Sequence, residues 1–502
     1  MARIAKVIDL PSIIKLNKAE GKISAQLIQI LREAVQQGNL QAGDPLPASR
    51  ELAKTLGIAR GTIIETYDQL IAEGVLEARA RQGTFVSHIL KSPSSQAISI
   101  QSIDSDNLTD AAQAYAQIFK EFKPLAHRPF AVSVPIGRTQ PRDVWRKFGN
   151  RFRACGVAAP SGYDDPQGVY ALRSAIADYV RRSRSVQCEP EQIVITSGIQ
   201  QALYLCSQIL LTKHDAVWVE DPAYRGTTAI LENSLQHLQI SRVPVDEDGI
   251  LVHTGIELAP HARAAFVTPS HQYPLGMPMS LARRAELVEW AKQQRAWIIE
   301  DDYDSELRYI GQPFPALHAM APDRVIYLGT FSKVLFPSLR LGYAVLPKVL
   351  VAAFCGLRAL IDRHPPSADQ HVLGAFIQEG YLERHIRRIR HVYAENRQQI
   401  IQLIDRYIPK TQAFIESGDQ GMHMVLWFAN SVDDLKIARL AGESGVSVKA
   451  ISPTFSEASQ RSGLILGLGD FDVDQLEQAI QILSKLINDE HQKNSLHPNP
   501  NL

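Results

Sequence analysis

The spacing of hydrophobic residues divides the chain into parts with different periodicity. In the first ninety residues, apolar side chains recur every three or four positions, a period that predicts short helices. We expect these helices at 25–37, at 49–57 with Ser49 as the cap, and at 60–73. The segment 75–86 instead alternates like a two-stranded ribbon with Gln82-Gly83 at its tip. Three helices followed by a ribbon predict a winged helix-turn-helix domain at 18–90.

The third predicted helix has one apolar and one polar face. Ile63, Tyr67 and Leu70 recur at helical spacing and are expected to point inward. The residues expected to point outward are Arg60, Thr62, Glu65 and Thr66. An exposed arginine and threonine at the start of such a helix have no packing role, which favours a role in recognition.

From residue 126 to about 490, helical stretches alternate with short apolar strands. The strands are expected at 192–196, 216–219, 264–267, 296–300, 324–328 and 341–345, and helices at 169–182, 200–211 and 281–294. This alternation predicts an α/β domain with a mainly parallel sheet. After residue 354 the pattern becomes more helical, with strands near 422–428 and 463–468, as expected for a smaller α+β subdomain.

Two polar segments lie outside these predicted domains. Residues 91–125 are rich in serine, aspartate, glutamine and alanine, which predicts a linker with one helix near 108–122. Residues 491–502 are expected to form a disordered tail.

Composition limits the possible partners. Lysine plus arginine equal aspartate plus glutamate at 53 each, so any affinity for DNA must be local. The four scattered cysteines lack metal-site spacing and favour free thiols in a reducing compartment, with no metal site expected. No apolar run approaches the roughly 18 residues of a membrane span, and no signal peptide is recognisable. We therefore expect a cytoplasmic protein without a membrane partner.

Polar residues follow several predicted strands, at the edge where open α/β sheets collect ligands. Ser197 and Gly198 begin a helix whose free N–H groups suit a phosphate. Tyr224 follows the next strand, where its ring could stack on a heterocycle. Asp301 could keep a pyridine nitrogen protonated, and Tyr303 could reach a phenolic oxygen of the same ring.

Lys333 is the candidate reactive residue. It stands in the run from Thr330 to Arg340, between a hydroxyl and a guanidinium group. An amine in that setting can hold an aldehyde as a Schiff base while its neighbours hold the aldehyde's phosphate. Together with the residues at the other strand ends, Lys333 indicates a pyridoxal phosphate site.

This set of residues resembles the aspartate aminotransferase superfamily, fold type I of the pyridoxal phosphate enzymes, over 126–490. The resemblance implies Lys333 as the Schiff-base lysine, Asp301 as the pyridinium partner, Tyr303 at the ring hydroxyl and Tyr224 stacked on the ring. It implies four phosphate ligands: Ser197, Gly198, Thr330 and Arg340. Tyr163 resembles the tyrosine that reaches the phosphate from the other subunit of a dimer.

Two positions depart from the aminotransferase pattern. Tyr273 stands before a proline where typical aminotransferases have an asparagine bonded to the ring oxygen, which argues against efficient transamination. Ile465 occupies the column in which an arginine usually grips the carboxylate of an amino acid. Either Arg461 reaches in to bind the effector, or it is a surface charge and the ligand is not an ordinary α-amino acid.

The stretch from Asp44 to Val86 resembles the GntR family of winged helices. By this resemblance Ser49 and Arg50 contact backbone phosphates, Arg60 and Thr62 face the major groove, and the wing tip from Arg81 to Gly83 faces the minor groove. Residues 1–90 carry eleven lysine or arginine residues against nine acidic ones, so tight binding would require two copies. The alternative is a helix-turn-helix that serves only for protein docking.

The two halves together resemble the MocR family of bacterial transcription regulators over nearly the whole chain. The resemblance implies a homodimer, head to tail, that binds promoter DNA and senses an amine or amino-acid effector, or pyridoxal phosphate itself, at Lys333. A working aminotransferase with an accessory N-terminal domain is the alternative. A repressor whose aminotransferase fold has lost its cofactor is a further one.

Overall fold

The computed structural model describes residues 10–88, 108–122, 127–157, 162–416, 418–429, 432–456, 461–469 and 471–496. Contacts between residues divide the chain into two compact units, Met1–Asn107 and Leu108–Leu502. Most of the segment expected to be a linker, and the last six residues of the expected tail, lie outside the described residues.

The first unit has three helices and a two-stranded ribbon after a short N-terminal turn of helix. The elements are α1 (Leu10–Ile13), α2 (Ile23–Gln36), α3 (Ser49–Leu56), α4 (Arg60–Ala72), β1 (Leu76–Arg79) and β2 (Gly83–Val86). The strands are antiparallel, with Leu76 opposite Val86. Leu27 of α2 and Ile63 and Leu70 of α4 are buried in one core with both strand residues. This unit is a winged helix-turn-helix.

Two local expectations for this unit are wrong. Ser49 is the first residue of α3 and does not cap it, because Ala48 holds the cap position. Thr66 is fully buried, although its helical position predicted exposure. Its hydroxyl donates to the carbonyl of Thr62 at 2.8 Å and lies 3.5 Å from Ser24 Oγ, because the buried face of α4 also covers α2.

The second unit contains twelve helices in its described part. They are α5 (Asp110–Glu121), α6 (Arg142–Ala154), α7 (Tyr170–Arg184), α8 (Ile199–Leu210), α9 (Arg225–Glu232), α10 (Val252–Leu258), α11 (Leu281–Gln294), α12 (Lys348–Asp362), α13 (Ser367–Gln378), α14 (Tyr381–Tyr407), α15 (Asp434–Glu443) and α16 (Val473–Leu496). Helix α5 lies inside the segment expected to be a linker, and Arg225 binds it through Glu121 at 2.9 Å.

An eight-stranded sheet forms the centre of this unit. Its strands are β3 (Ile193–Thr196), β4 (Ala216–Asp221), β5 (Gln239–Asp246), β6 (Gly249–Ile250), β7 (Ala264–Val267), β8 (Trp297–Asp302), β9 (Val325–Thr330) and β10 (Gly342–Val345), in the order β3-β10-β9-β8-β7-β4-β5-β6. Neighbours from β5 through β4, β7 and β8 to β9 are parallel, whereas β10 and β6 run antiparallel to their neighbours. The expected α/β class with a mainly parallel sheet is confirmed.

Both faces of this sheet are buried. In β4, Val217 and Val219 pack into a core with residues of α8. Trp218, between them, faces the opposite side and stacks on Trp290 of α11 with ring centroids 3.8 Å apart. Burial on both faces explains why the central strands are continuously apolar.

A second, antiparallel sheet forms the smaller subdomain. Its strands are β11 (Ala413–Ile415), β12 (His423–Phe428), β13 (Lys449–Ala450) and β14 (Gly463–Gly467), in the order β11-β12-β14-β13. Met424 and Leu426 of β12 face the main core, which includes residues of α14 and α16. Val425 and Trp427 face the opposite side, where Tyr273 packs against their cluster.

The C-terminal helix is longer than expected. Helix α16 continues to Leu496, six residues into the segment expected to be a disordered tail. Glutamine and lysine at positions 492 and 493 are good helix formers, and the first proline comes only at position 498. No helix in the described ranges is long and apolar enough to cross a membrane.

Candidate functional site

Strand pairing brings the predicted phosphate ligands together. Thr196 at the end of β3 pairs with Gly342 of β10, which also pairs with Thr330 at the end of β9. Residues that follow β3 and β9 therefore lie side by side. Arg340, just before β10, donates from Nη2 to the carbonyl of Ser197 at 2.6 Å. One cation and two hydroxyl-bearing residues thus meet at one edge of the sheet.

Gly198 forms the N-cap of α8 in this cluster. Its φ of 81° lies in the left-handed region that favours glycine. A side chain here would also crowd the Arg340 guanidinium, because an added Cβ would lie 3.2 Å from Nη1. The N-terminal N–H groups of α8 and the exposed Arg340 make this corner suitable for an anion.

Lys333 follows β9 in a turn beside this corner. Its side chain is half-buried, and Nζ has no hydrogen-bond partner among the residues that the structure describes. Burial lowers the pKa of Lys333 to about 8, against the opposing influence of Asp304 and Asp301. A lysine with this pKa is partly neutral near pH 8 and can act as a nucleophile or a base.

Asp301 is buried in β8 and has one carboxyl oxygen, Oδ1, without a hydrogen-bond partner in the described part of the chain. Burial, with a contribution from Asp302, raises the pKa of Asp301 to about 8, while Lys333 opposes the rise. A buried carboxyl oxygen without a partner is unfavourable, so this atom suits a donor that these residues do not supply. A protonated pyridine nitrogen meets that requirement.

Tyr224 stands at the N-cap of α9, close to Asp301. Its ring meets Tyr273 edge to face, with centroids 5.6 Å apart, and the close packing of Gly226 fixes its position, because a Cβ there would lie 2.2 Å from the Tyr224 ring. Tyr224, Thr268 and Asp301 are among the residues that line one narrow space. The aromatic ring and the unpaired carboxyl therefore border one space.

Tyr303 makes a different contact from the one that the resemblance implied. Its hydroxyl donates to the carbonyl of His271 at 3.0 Å and lies 3.0 Å from Nδ1 of the same residue. His271 in turn pairs with the buried Asp304 at 2.9 Å. The phenol of Tyr303 is thus held in place by His271, and a contact with the ring hydroxyl of a ligand stays a prediction.

Sequence reasoning missed four buried polar residues around this site: Glu220, His271, Asp304 and His423. Burial raises the pKa of Glu220 to about 7, although Thr268 donates to its carboxyl at 2.6 Å. His271, Asp304 and His423 have side-chain atoms of the kind that bind metal ions, and these atoms lie within 4.8 Å of one another. Each already has a hydrogen-bond partner in the protein, and His423 Nε2 lies 3.0 Å from the carbonyl of Pro274. The position of Glu220 and His271 next to strand ends was the available signal.

Two predicted ligand residues lie at the surface of the single chain. Arg461 pairs with Glu416 at 2.5 Å, and its guanidinium stacks 3.7 Å above the Trp427 ring. The structure thus places Arg461 in a surface ion pair, and Ile465 is buried in the position where the resemblance expects an arginine. A contact between Arg461 and an effector stays a prediction. Tyr163 is 80% exposed, with Arg363 5.0 Å from its ring centroid.

Four of the predicted DNA-binding residues lie around the start of α3 and α4, and Arg81 and Gly83 lie at the tip of the ribbon. Arg60 Nε donates to Ser49 Oγ at 3.4 Å, which links the two helix N-termini. Arg50, Arg60 and Gly83 are exposed, and Thr62 is half-buried. Arg81, also exposed, adopts a left-handed φ of 61° in the turn of the ribbon. These residues present hydroxyl and guanidinium groups on one small unit.

Known protein families match both units. The family model described as aminotransferase class I and II matches residues 138–463, and the model of bacterial regulatory proteins of the gntR family matches residues 23–86. A crystal structure of LysN, an α-aminoadipate aminotransferase from Thermus thermophilus complexed with N-(5'-phosphopyridoxyl)-L-leucine, covers 78% of this chain and 99% of its own. It has a TM-score of 0.69 at 24% identity, which supports the fold of the second unit.

Full-length relatives share both units. The probable rhizopine catabolism regulatory protein MocR of Rhizobium meliloti is 34% identical over 93% of this chain and 94% of its own. The pyridoxine biosynthesis transcriptional regulator PdxR of Corynebacterium glutamicum is 35% identical over 95% of this chain and 99% of its own. The protein is thus of the class in which an aminotransferase-like domain follows a GntR-type DNA-binding domain. Within that class, the chain belongs to the MocR subfamily of GntR-type transcriptional regulators.

Proposed function

We propose that this protein is a transcription regulator that binds promoter DNA through its first unit and pyridoxal phosphate through its second. The observation that carries the proposal is the shared site of Lys333, which has a lowered pKa, and Asp301, which is buried with an unpaired oxygen. The presence of this site in the same chain as a GntR-type helix-turn-helix supports regulation as its purpose.

The residues present fit pyridoxal phosphate. When bound, this cofactor supplies an aldehyde that captures amines and a ring that withdraws electrons. Lys333 would provide the amine that holds the aldehyde carbon, and Asp301 would keep the ring nitrogen protonated. Tyr224 would stack on the ring. The phosphate would bind the cluster described above: Ser197, Gly198, Thr330 and Arg340.

The first unit recognises DNA. Arg60 and Thr62, at the N-terminal end of α4, face the major groove, while Ser49 and Arg50 contact phosphates. The ribbon turn with Arg81 and Gly83 reaches the minor groove. Because residues 1–90 carry a net charge of only two, a single copy binds weakly, and two copies are required for a stable complex.

A head-to-tail homodimer supplies the second copy. The exposed aromatic ring of Tyr163 supports this arrangement, because an exposed tyrosine is available to reach the phosphate in the partner subunit. An amine effector, or the cofactor itself, changes the occupancy of the site and thereby the way in which two winged helices are presented to DNA.

A working aminotransferase is the second candidate function. The pKa of about 8 at Lys333 supports it, because a partly neutral lysine can remove a proton from a bound amino acid. Tyr273, in place of an asparagine, argues against rapid turnover. The two candidates therefore predict different behaviour of the same purified protein.

The test measures DNA binding and turnover together. Fluorescence anisotropy with DNA from upstream of the protein's own gene reports binding, and keto-acid formation from amino acids reports turnover. Lys333→Ala is compared with Lys348→Ala, which changes an exposed lysine at the start of α12. The regulator predicts cofactor-dependent DNA binding that Lys333→Ala alters and Lys348→Ala retains, with negligible keto acid. Rapid turnover without DNA binding would identify the enzyme instead.

A further inference from the structure

A lysine stands on the strand next to the position where an arginine was expected. Lys449 of β13 stands directly opposite Ile465 of β14, and Ile465 stands opposite Val425 of β12. Directly opposed residues of paired strands project from the same face of a sheet. The side chain of Lys449 therefore shares a face with Ile465, the residue in the column where a carboxylate-binding arginine was expected.

This face of the small sheet is turned toward the candidate cofactor site. Ile465 and Val425 belong to a buried cluster against which Tyr273 packs. Tyr273 in turn meets Tyr224 and Tyr303 edge to face, at 5.6 and 6.1 Å between ring centroids. The cluster of Ile465 and Val425 thus packs against Tyr273, which contacts Tyr224 of the site, and Lys449 extends the same row of paired residues.

Electrostatics agrees with that placement. Burial is the main cause of the lowered pKa of Lys333, and the positive charge of Lys449 adds a smaller contribution in the same direction. Partial desolvation also lowers the pKa of Lys449, although its side chain is exposed at the edge of the small sheet and is accessible to a ligand. No hydrogen bond or ion pair joins Lys449 to any residue in the described ranges. An anion placed between the two lysines would stabilise their charged forms and so raise the pKa of both.

We propose that Lys449 binds the anionic end, a carboxylate or a sulfonate, of an amine effector whose nitrogen lies at Lys333. This inference rests on the proposed function and narrows it, because it assigns the effector to the class of amines with a separate negative charge. It also makes Lys449 an alternative to Arg461, which pairs with Glu416 at the surface.

The test uses matched pairs of probe compounds. Glycine, 3-aminopropanoate, 4-aminobutanoate and 5-aminopentanoate are each compared with the alkylamine in which a methyl group replaces the carboxylate. Isothermal titration calorimetry of the cofactor-loaded full-length protein gives the affinities, and the visible absorption of the cofactor gives a second readout. A charged hydrogen bond predicts that at least one anionic amine binds about tenfold or more tightly than its partner.

Three variants locate the origin of that preference. Lys449→Met is expected to abolish the difference within the preferred pair, and Lys449→Arg, which keeps the charge, is expected to retain it. Lys485→Met, which removes an exposed lysine from α16, is the matched control and is expected to keep the wild-type difference. Abolition by Lys449→Met alone supports the assignment.

Other outcomes overturn the inference in distinguishable ways. A preference that survives in Lys449→Met means that another residue binds the anion. Equal affinities within every pair for the wild-type protein mean that the effector is not an anionic amine, while the cofactor site stands. A wild-type protein that shows neither a visible cofactor band nor DNA binding contradicts the proposed function itself, and this inference with it.

Discussion

Replacement of Asp301 by asparagine is expected to have opposite effects on the protein with and without pyridoxal phosphate. The substitution keeps the shape of the side chain and removes its ability to ionise. In the cofactor-free protein it removes a buried carboxyl whose Oδ1 has no partner among the described residues. In the loaded protein it removes the negative charge expected beside the ring nitrogen.

The change in stability of the cofactor-free protein follows from the pKa of Asp301. Burial raises the pKa of Asp301 from 3.8 to about 8, and one pKa unit corresponds to about 1.4 kcal/mol. The pKa of Asp301 is higher in the folded than in the unfolded protein. The contribution of Asp301 to the free energy of unfolding is therefore fully present below pH 4 and is lost as the pH rises to about 8. The loss reaches at most about 6 kcal/mol. Asp301→Asn avoids this loss, so its stability relative to wild type rises over the same pH window.

Cofactor binding is expected to change in the other direction. Loss of a charged hydrogen bond, worth about 1.5–3 kcal/mol, predicts cofactor affinity about 10- to 100-fold weaker in Asp301→Asn. Urea unfolding at pH 5 and pH 8 measures stability, and titration of the visible absorption band measures affinity. Asp323→Asn, at an exposed carboxylate, is the control and should change neither. Equal stability differences at both pH values, or unchanged cofactor affinity, would refute the reasoning.

Three further substitutions separate the parts of the account. Arg60→Ala is expected to weaken DNA binding about tenfold in anisotropy titrations without any change in the cofactor band, and an unchanged DNA affinity would contradict its role. Gly226→Ala places a Cβ 2.2 Å from the Tyr224 ring; displacement of that ring should weaken cofactor binding, and retained affinity would mean that ring stacking is unimportant. Tyr163→Ala should leave the fold intact, because the side chain is 80% exposed, yet weaken cofactor binding in the dimer; equal affinity in both proteins would exclude a contact from the partner subunit.

The sequence predicted those features that depend on local pattern. The buried strands β7 and β9 are continuous runs of apolar residues, so their positions were evident. In a parallel sheet the ends of such strands meet at one edge, which is why the sequence predicts Ser197, Asp301 and Lys333 in one site. Strand β5 was missed because most of its residues are exposed or half-buried, and it lacks a continuous apolar run.

Contacts between distant positions could not be predicted in this way. The buried ion pair between Arg184 and Asp302, at 2.8 Å, joins residues more than a hundred positions apart. The position of Lys449 opposite Ile465 depends on the register of two short strands that no local pattern specifies. The same limit explains the error at Thr66, whose burial depends on the helix that packs beside it.

The covalent attachment of pyridoxal phosphate to Lys333 is tested most directly by borohydride reduction and peptide mass spectrometry. Wild-type protein is incubated with the cofactor, reduced and digested, and each lysine-containing peptide is weighed. The account predicts that the peptide with Lys333 gains the mass of the reduced cofactor, and that Lys333→Ala shows neither this mass nor a visible absorption band. A label on other lysines with Lys333 unmodified, or an equal band in Lys333→Ala, would contradict it.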